Sequence, residues 1–194
     1  MIRFLFAALF CAGPAFAQCP DPSQLDAEGI TIAFDDGAIV TYQRLGPDLV
    51  LEMNDLEFDT GFGGVYRFGM LPVEEFDLDE SGGIIDDSRW VTSYPQGAPG
   101  ALPPPSSSVD VPFERNAPGE SMSGTITFEA LGYGNRIISG CPIATRGFKV
   151  RVTEADGSWY EPRFNYFTDY GFSIMIGSSN SAGEEYSYDT EWIE

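Results

Sequence analysis

The sequence contains no histidine. That excludes Ser-His-Asp and Cys-His nucleophile chemistry, and with them every histidine-ligated zinc or iron centre. Lysine is nearly absent as well: Lys149 stands alone, on the outward face of an alternating segment, a poor place for a desolvated base. Basic residues total 10 against 30 acidic ones, a formal charge of −20. Such a charge favours solubility and repels nucleic acid and anionic membrane surfaces. No apolar run approaches the roughly 20 residues that a membrane-spanning helix needs. Nor does any stretch combine a 3.6-residue period with helix caps, so a helical bundle is excluded.

What is present begins with a leader. Arg3, the apolar run Phe4 to Cys11 and the small-x-small triplet Ala15-Phe16-Ala17 form a secretory signal peptide over residues 1–17, cut between Ala17 and Gln18. Cys19 follows Gln18 and Cys11 follows Phe10, so neither has the small residue that precedes a lipidated cysteine. The expected destination is soluble, periplasmic or secreted, with no stable membrane insertion after cleavage. Removing the leader also removes Cys11 and makes the chain one charge more negative by the loss of Arg3. Cys19 and Cys141 are then left with only each other, and an oxidising compartment joins them in one disulfide. Closing so long a loop is worth about 4–5 kcal/mol in the chain-entropy account.

From Ile30 onward the pattern is period two. Ile30, Ile32 and Phe34 alternate with Thr31 and Ala33; further runs lie at 39–45, 49–53, 65–70, 89–94, 123–130, 148–153, 159–164, 172–176 and 185–192. Asp36-Gly37 and Asp156-Gly157 read as two-residue hairpin turns with positive φ at both positions. The fold class is therefore all-β: an antiparallel β-sandwich, barrel or strongly curved sheet, one domain over residues 18–194, with at most a short helical turn near Pro22–Ala27. Residues 95–112, PQGAPGALPPPSSSVDVP, carry too many prolines for a central strand and are expected to be a loop.

Chemistry-bearing motifs are few. The segment Asp77 to Asp87 imitates the first half of a calcium loop: Asp77, Asp79 and Ser81 offer oxygens at alternate positions, Gly82 supplies a sharp turn, and Gly83 offers its carbonyl. The twelfth position is Ser88 instead of the bidentate Glu, leaving Asp86 or Asp87 to substitute, and flanking helices are missing. Asp77, Asp79, Ser81, Gly83 and Asp87 are thus candidate ligands for Ca²⁺, the sole cofactor candidate. The acidic run Asp55 to Asp59 reads as a solvated face. No catalytic residues are assigned, since what remains without histidine is carboxylate chemistry, and proximity of two acids cannot be read from sequence. Aromatics gather late, in Trp159-Tyr160, Phe164, Tyr166-Phe167, Tyr170, Phe172, Tyr186, Tyr188 and Trp192. They suit a core, or an apolar groove with Trp159 or Trp192 at its mouth.

In the C-terminal third, Ile138-Ser-Gly140-Cys141, Val150 before Asp156-Gly157, Tyr166-Phe167 and Tyr170-Gly171-Phe172 follow in an order that resembles uncharacterised periplasmic β-sheet proteins of Gram-negative bacteria. The resemblance implies an envelope compartment and a curved sheet, and brings no catalytic residues. The functional expectation is a soluble exported, non-catalytic domain that binds a partner protein or supports the envelope. The alternatives are a calcium-binding module using the Asp77–Asp87 loop and a carrier of a small apolar ligand in a concave sheet.

Overall fold

The computed structural model describes residues 19–55 and 61–194, with Asp55 described in its backbone only. The leader and its Ala17–Gln18 junction lie outside the described residues, as does the acidic run beyond Asp55. Among the described residues the chain forms 13 strands in a single antiparallel sheet. They are β1 (Ile30–Phe34), β2 (Ile39–Arg44), β3 (Leu49–Asp55), β4 (Gly61–Arg67), β5 (Leu71–Leu78), β6 (Trp90–Ser93) and β7 (Ser108–Ala117). There follow β8 (Glu120–Ile138), β9 (Cys141–Glu154), β10 (Trp159–Phe167), β11 (Phe172–Asn180), β12 (Glu185–Ser187) and β13 (Thr190–Ile193). No described helix is long and apolar enough to cross a membrane.

Each strand from β1 to β12 pairs with its sequence neighbour, and β13 returns to pair with β1. The hydrogen-bonded ladder is open, since β12 and β13 do not bond to each other. Only Tyr188 and Asp189 separate them, however, so one short segment touches β11 with its first half and β1 with its second. Backbone bonds from Tyr188 N to Ile176 O (3.1 Å) and from Asp35 N to Asp189 O (2.9 Å) continue both pairings up to the junction. The sheet must therefore curl until its two ends meet, which makes it the strongly curved alternative of the expected fold class.

Its interior holds two clusters. One joins Leu25, Ile30, Ile32, Tyr42 and Val50 to Ile138, Ile143, Phe167, Phe172 and Ile174. Cys19 and Cys141 are bonded, with Cα atoms 5.5 Å apart, and Cys141 belongs to this cluster. The second gathers Phe68, Met70, Leu71, Phe113, Ile126, Phe128, Phe148 and Val150. The β8–β9 hairpin serves both, with Ile126, Phe128 and Val150 in the second and Ile138 and Ile143 in the first.

Several sequence expectations are corrected. The Pro/Ser-rich loop ends at Ser107 and not at Pro112, because β7 starts at Ser108. Pro112 faces Thr125 of β8, whereas β6 pairs only with Glu114, Arg115 and Asn116 and ends short of it; the missing N–H removes no ladder bond on that side. The run expected at 65–70 is the end of β4 plus a buried turn, and β5 follows at once. Strands 123–130 and 148–153 are parts of the longer β8 and β9, β9 extending from the latter towards its N-terminal end, and both continue through polar and glycine-containing stretches. A second short helical turn, at Asp86–Ser88, joins the expected one at Pro22–Asp26.

The Asp-Gly turns also differ from expectation. Gly37 (φ 90°) and Gly157 (φ 88°) have positive φ, but Asp36 and Asp156 do not. Gly37 N bonds Phe34 O and Phe34 N bonds Ala38 O; Gly157 N bonds Glu154 O and Glu154 N bonds Ser158 O. Both are type I turns closed by a glycine bulge, in which the aspartate carboxylate accepts from the backbone two residues on.

Candidate functional site

Strands β3, β4 and β5 stand in register so that Glu52, Gly64 and Glu75 form one row across the sheet. Side chains opposite each other on neighbouring strands share a face, so both carboxylates point to the same side. Gly64 between them has no side chain, and the Tyr66 ring occupies that space: a Cβ on Gly64 would lie 2.6 Å from Tyr66 Cε2. Tyr66 Oη donates to Glu75 Oε1 at 3.1 Å. Burial first, then the charges of Glu75 and Glu52, hold the Tyr66 hydroxyl well above its ordinary pKa, so it remains a donor.

The row borders a half-open cleft of about 340 Å³. Its walls are apolar: Phe62 and Met70 on one side, Phe113, Met122, Ile126 and Val150 behind, Phe164 and Met175 opposite. Three of the chain's five methionines line it. Methionine is unbranched and polarizable, which suits a surface that adapts to an apolar guest. The floor is the β4–β5 turn, where Phe68 (φ 55°) and Gly69 (φ 70°) both adopt the left-handed conformation and Met70 N bonds Arg67 O at 2.9 Å. A phenylalanine in that region is strained, and its surroundings hold it there. Ser173 Oγ on β11 donates to Phe68 O at 2.9 Å, and Gly69 packs so closely on Ser173 that a Cβ would lie 2.7 Å from its nitrogen.

Polar groups converge at the Glu52–Glu75 end. Arg115 Nη2 lies 2.6 Å from Glu75 Oε2, yet that oxygen has no hydrogen bond of acceptable direction, so the pair is held by charge alone. Arg115 also stacks on Trp90, 4.8 Å from the ring centroid. Its Nε is buried without a partner among the described residues. Thr92, paired opposite Arg115 and 6% exposed, lines the cleft with Oγ1 equally unpartnered. Buried polar atoms left in this state are costly, and their gathering at one end of a cavity marks a place for a polar group. Glu52 has no counter-charge of its own. Burial, and then repulsion from Glu75, raises its pKa from 4.5 to about 7.

Of the residues singled out as calcium ligands, Asp79, Ser81 and Gly83 share one hydrogen-bonded turn. Asp77 is a strand residue of β5, and Asp87 sits in the second helical turn. Asp79 Oδ1 accepts from Ser81 N (2.8 Å), Ser81 Oγ (2.6 Å) and Gly83 N (2.9 Å). The Gly83 carbonyl accepts from Asp79 N at 2.8 Å. These bonds close the turn on itself and hold the Asp79 pKa below its usual value, the Ser81 hydroxyl contributing most. Among the described residues no group of three or more acidic or cysteine side chains is placed to hold a metal ion.

Neither Trp159 nor Trp192 lines the cleft; Trp159 packs under Arg151, and the aromatics of β10 at the cleft are its neighbour Tyr160 and Phe164. Glu52, Tyr66, Glu75, Thr92 and Arg115 are not recognisable as a site in the sequence. Each occupies an alternating position that reads equally well as the solvent face of a strand.

No protein-family model matches the chain, and no curated protein shows significant sequence similarity to it. Among solved structures it is similar to the hypothetical lipoprotein YmcC from Escherichia coli (K12), at 12% identity and a TM-score of 0.46, over 83% of this chain and 85% of that one.

Proposed function

We propose that this is an exported, non-catalytic binding domain that holds a small ligand with an apolar body in the cleft between β3–β7 and β8–β11. The observation that carries the reading is the cleft itself: an open, methionine-lined cavity in a sheet whose other half is filled. Its volume of about 340 Å³ lies within the range of about 300–1,000 Å³ typical of small-molecule sites, and apolar walls with a few convergent polar groups are the usual composition of such sites. The Cys19–Cys141 bond and the signal sequence support export.

Binding is tested by isothermal titration of the mature protein with decanol and by native mass spectrometry after gentle purification. Saturable uptake of one molecule, lost in Met175→Trp, which fills the cleft from a half-buried position, is the expected result. No uptake of any apolar probe would end the reading. Turnover of glycosides that disappears in Glu52→Gln would replace it with a hydrolase, because Glu52 and Glu75 are a carboxylate pair facing a cavity.

A further inference from the structure

Resting on that reading, we infer that the ligand carries a cationic amine at its head, seated against Glu52 with its apolar chain along the methionine wall. The two carboxylates of the row are in unequal positions. Glu75 has Arg115 as its counter-ion and Tyr66 as a donor. Glu52 has neither a cation nor a hydrogen-bond donor among the described residues, and it lines the same cleft. The charged and titratable groups around it are Tyr42 on β2, Tyr66 on β4, Glu75 on β5 and Arg115 on β7, with Glu154 and Tyr160 on the opposite wall. Of these only Arg115 is cationic, and it is committed to Glu75 and the Trp90 ring. Glu52 is half-buried, and a carboxylate facing an apolar cleft without a partner is stabilised by a positive charge placed beside it. An ammonium group supplies that charge. A carboxylate head would meet Glu52, Glu75 and Glu154 together.

The test compares decylammonium, decanol and decanoate, equal in tail and different in head, by isothermal titration at pH 8 in 0.5 M salt, which suppresses general attraction to the acidic surface. Decylammonium should bind at least about tenfold more tightly than decanol, the factor that one pKa unit of charge interaction represents. In Glu52→Gln the ratio of the two affinities should fall to about one. At pH 5.5, where Glu52 holds its proton, the preference for the amine should likewise fall. Equal binding of amine and alcohol by the native protein, an amine preference that survives Glu52→Gln, or tighter binding of decanoate would each overturn the inference and leave the cleft intact as a binding site. Failure of all three probes to bind would instead remove the reading on which it rests.

Discussion

The two halves of the interior are lined by the same curled sheet, yet one is filled and the other is not. Around the disulfide, inward positions carry Ile30, Ile32, Tyr42, Phe167, Phe172 and Ile174, and Tyr42 and Phe172 pack with ring centroids 4.7 Å apart. Tyr170 Oη donates to Pro20 O at 3.0 Å, and Arg44 donates to Tyr170 O, so the β10–β11 turn is tied to both the N-terminal segment and β2. Across β3 to β7 the equivalent inward positions hold Glu52, Gly64, Glu75, Thr92 and Arg115, which cannot interdigitate as apolar side chains do. Space remains between them and the wall formed by β8 to β11. An unfilled interior here follows from polar residues at inward register positions, since the space at Gly64 is taken by the Tyr66 ring.

If the halves divide stability and binding in this way, substitutions should separate accordingly. The largest loss is expected from Cys19→Ala with Cys141→Ala, which opens a loop spanning 122 residues and should cost about 4–5 kcal/mol in urea unfolding, with ligand uptake by the folded fraction retained. Next, Phe172→Ala in the filled half should cost about 3–5 kcal/mol, against about 1–2 kcal/mol for the half-buried Phe164→Ala on the cleft wall, where void already exists. A reversed order would break the comparison.

The third prediction concerns pH. Glu52 has its pKa raised from 4.5 to about 7 in the folded state, so between those values the folded protein binds more protons than the unfolded chain. Its contribution to stability is fully present below pH 4.5 and declines as pH rises through about 7, an effect of about 2–4 kcal/mol over the window by linkage. Unfolding titrations of Glu52→Gln against the native protein should show this slope removed and higher stability above pH 7. An unchanged slope would mean that Glu52 is not held away from water and counter-charge. The smallest effect is expected from Asp79→Ala, which loses only the bonds that close its exposed turn. A small drop in Tm and no change in cleft binding are expected. Calcium added to the native protein measures, by its effect on Tm, whether that loop takes the ion.

Much of the fold was legible because period-two alternation is a local property. Ile30, Ile32 and Phe34, or Phe148 and Val150, announce strands with a buried face wherever they sit, and the Asp-Gly steps announce hairpins. The boundaries were less legible. Glu120–Ser123 and Gly132–Ile137 of β8 carry few apolar residues, and they are held as strand by pairing to β7 and to β9 respectively, not by their own composition. The acidic loop shows what a local pattern leaves open. Alternate oxygen donors after a strand look like a metal loop in sequence, and in the folded hairpin one of them, Asp79 Oδ1, accepts from the backbone of Ser81 and Gly83.

Sequence alone determined the all-β class, the absence of histidine chemistry and the pairing of Cys19 with Cys141, since each follows from residue types, local period or a count. Tertiary structure decided which half of the sheet is filled and which residues make the site. Glu52, Gly64 and Glu75 are brought into one row by the register of three strands, Met122 is set beside Arg115 by the β7–β8 register, and Met175 is brought to the cleft by the curl of the sheet. Register and curvature arise from pairings between distant parts of the chain, so no local pattern in the sequence encodes them.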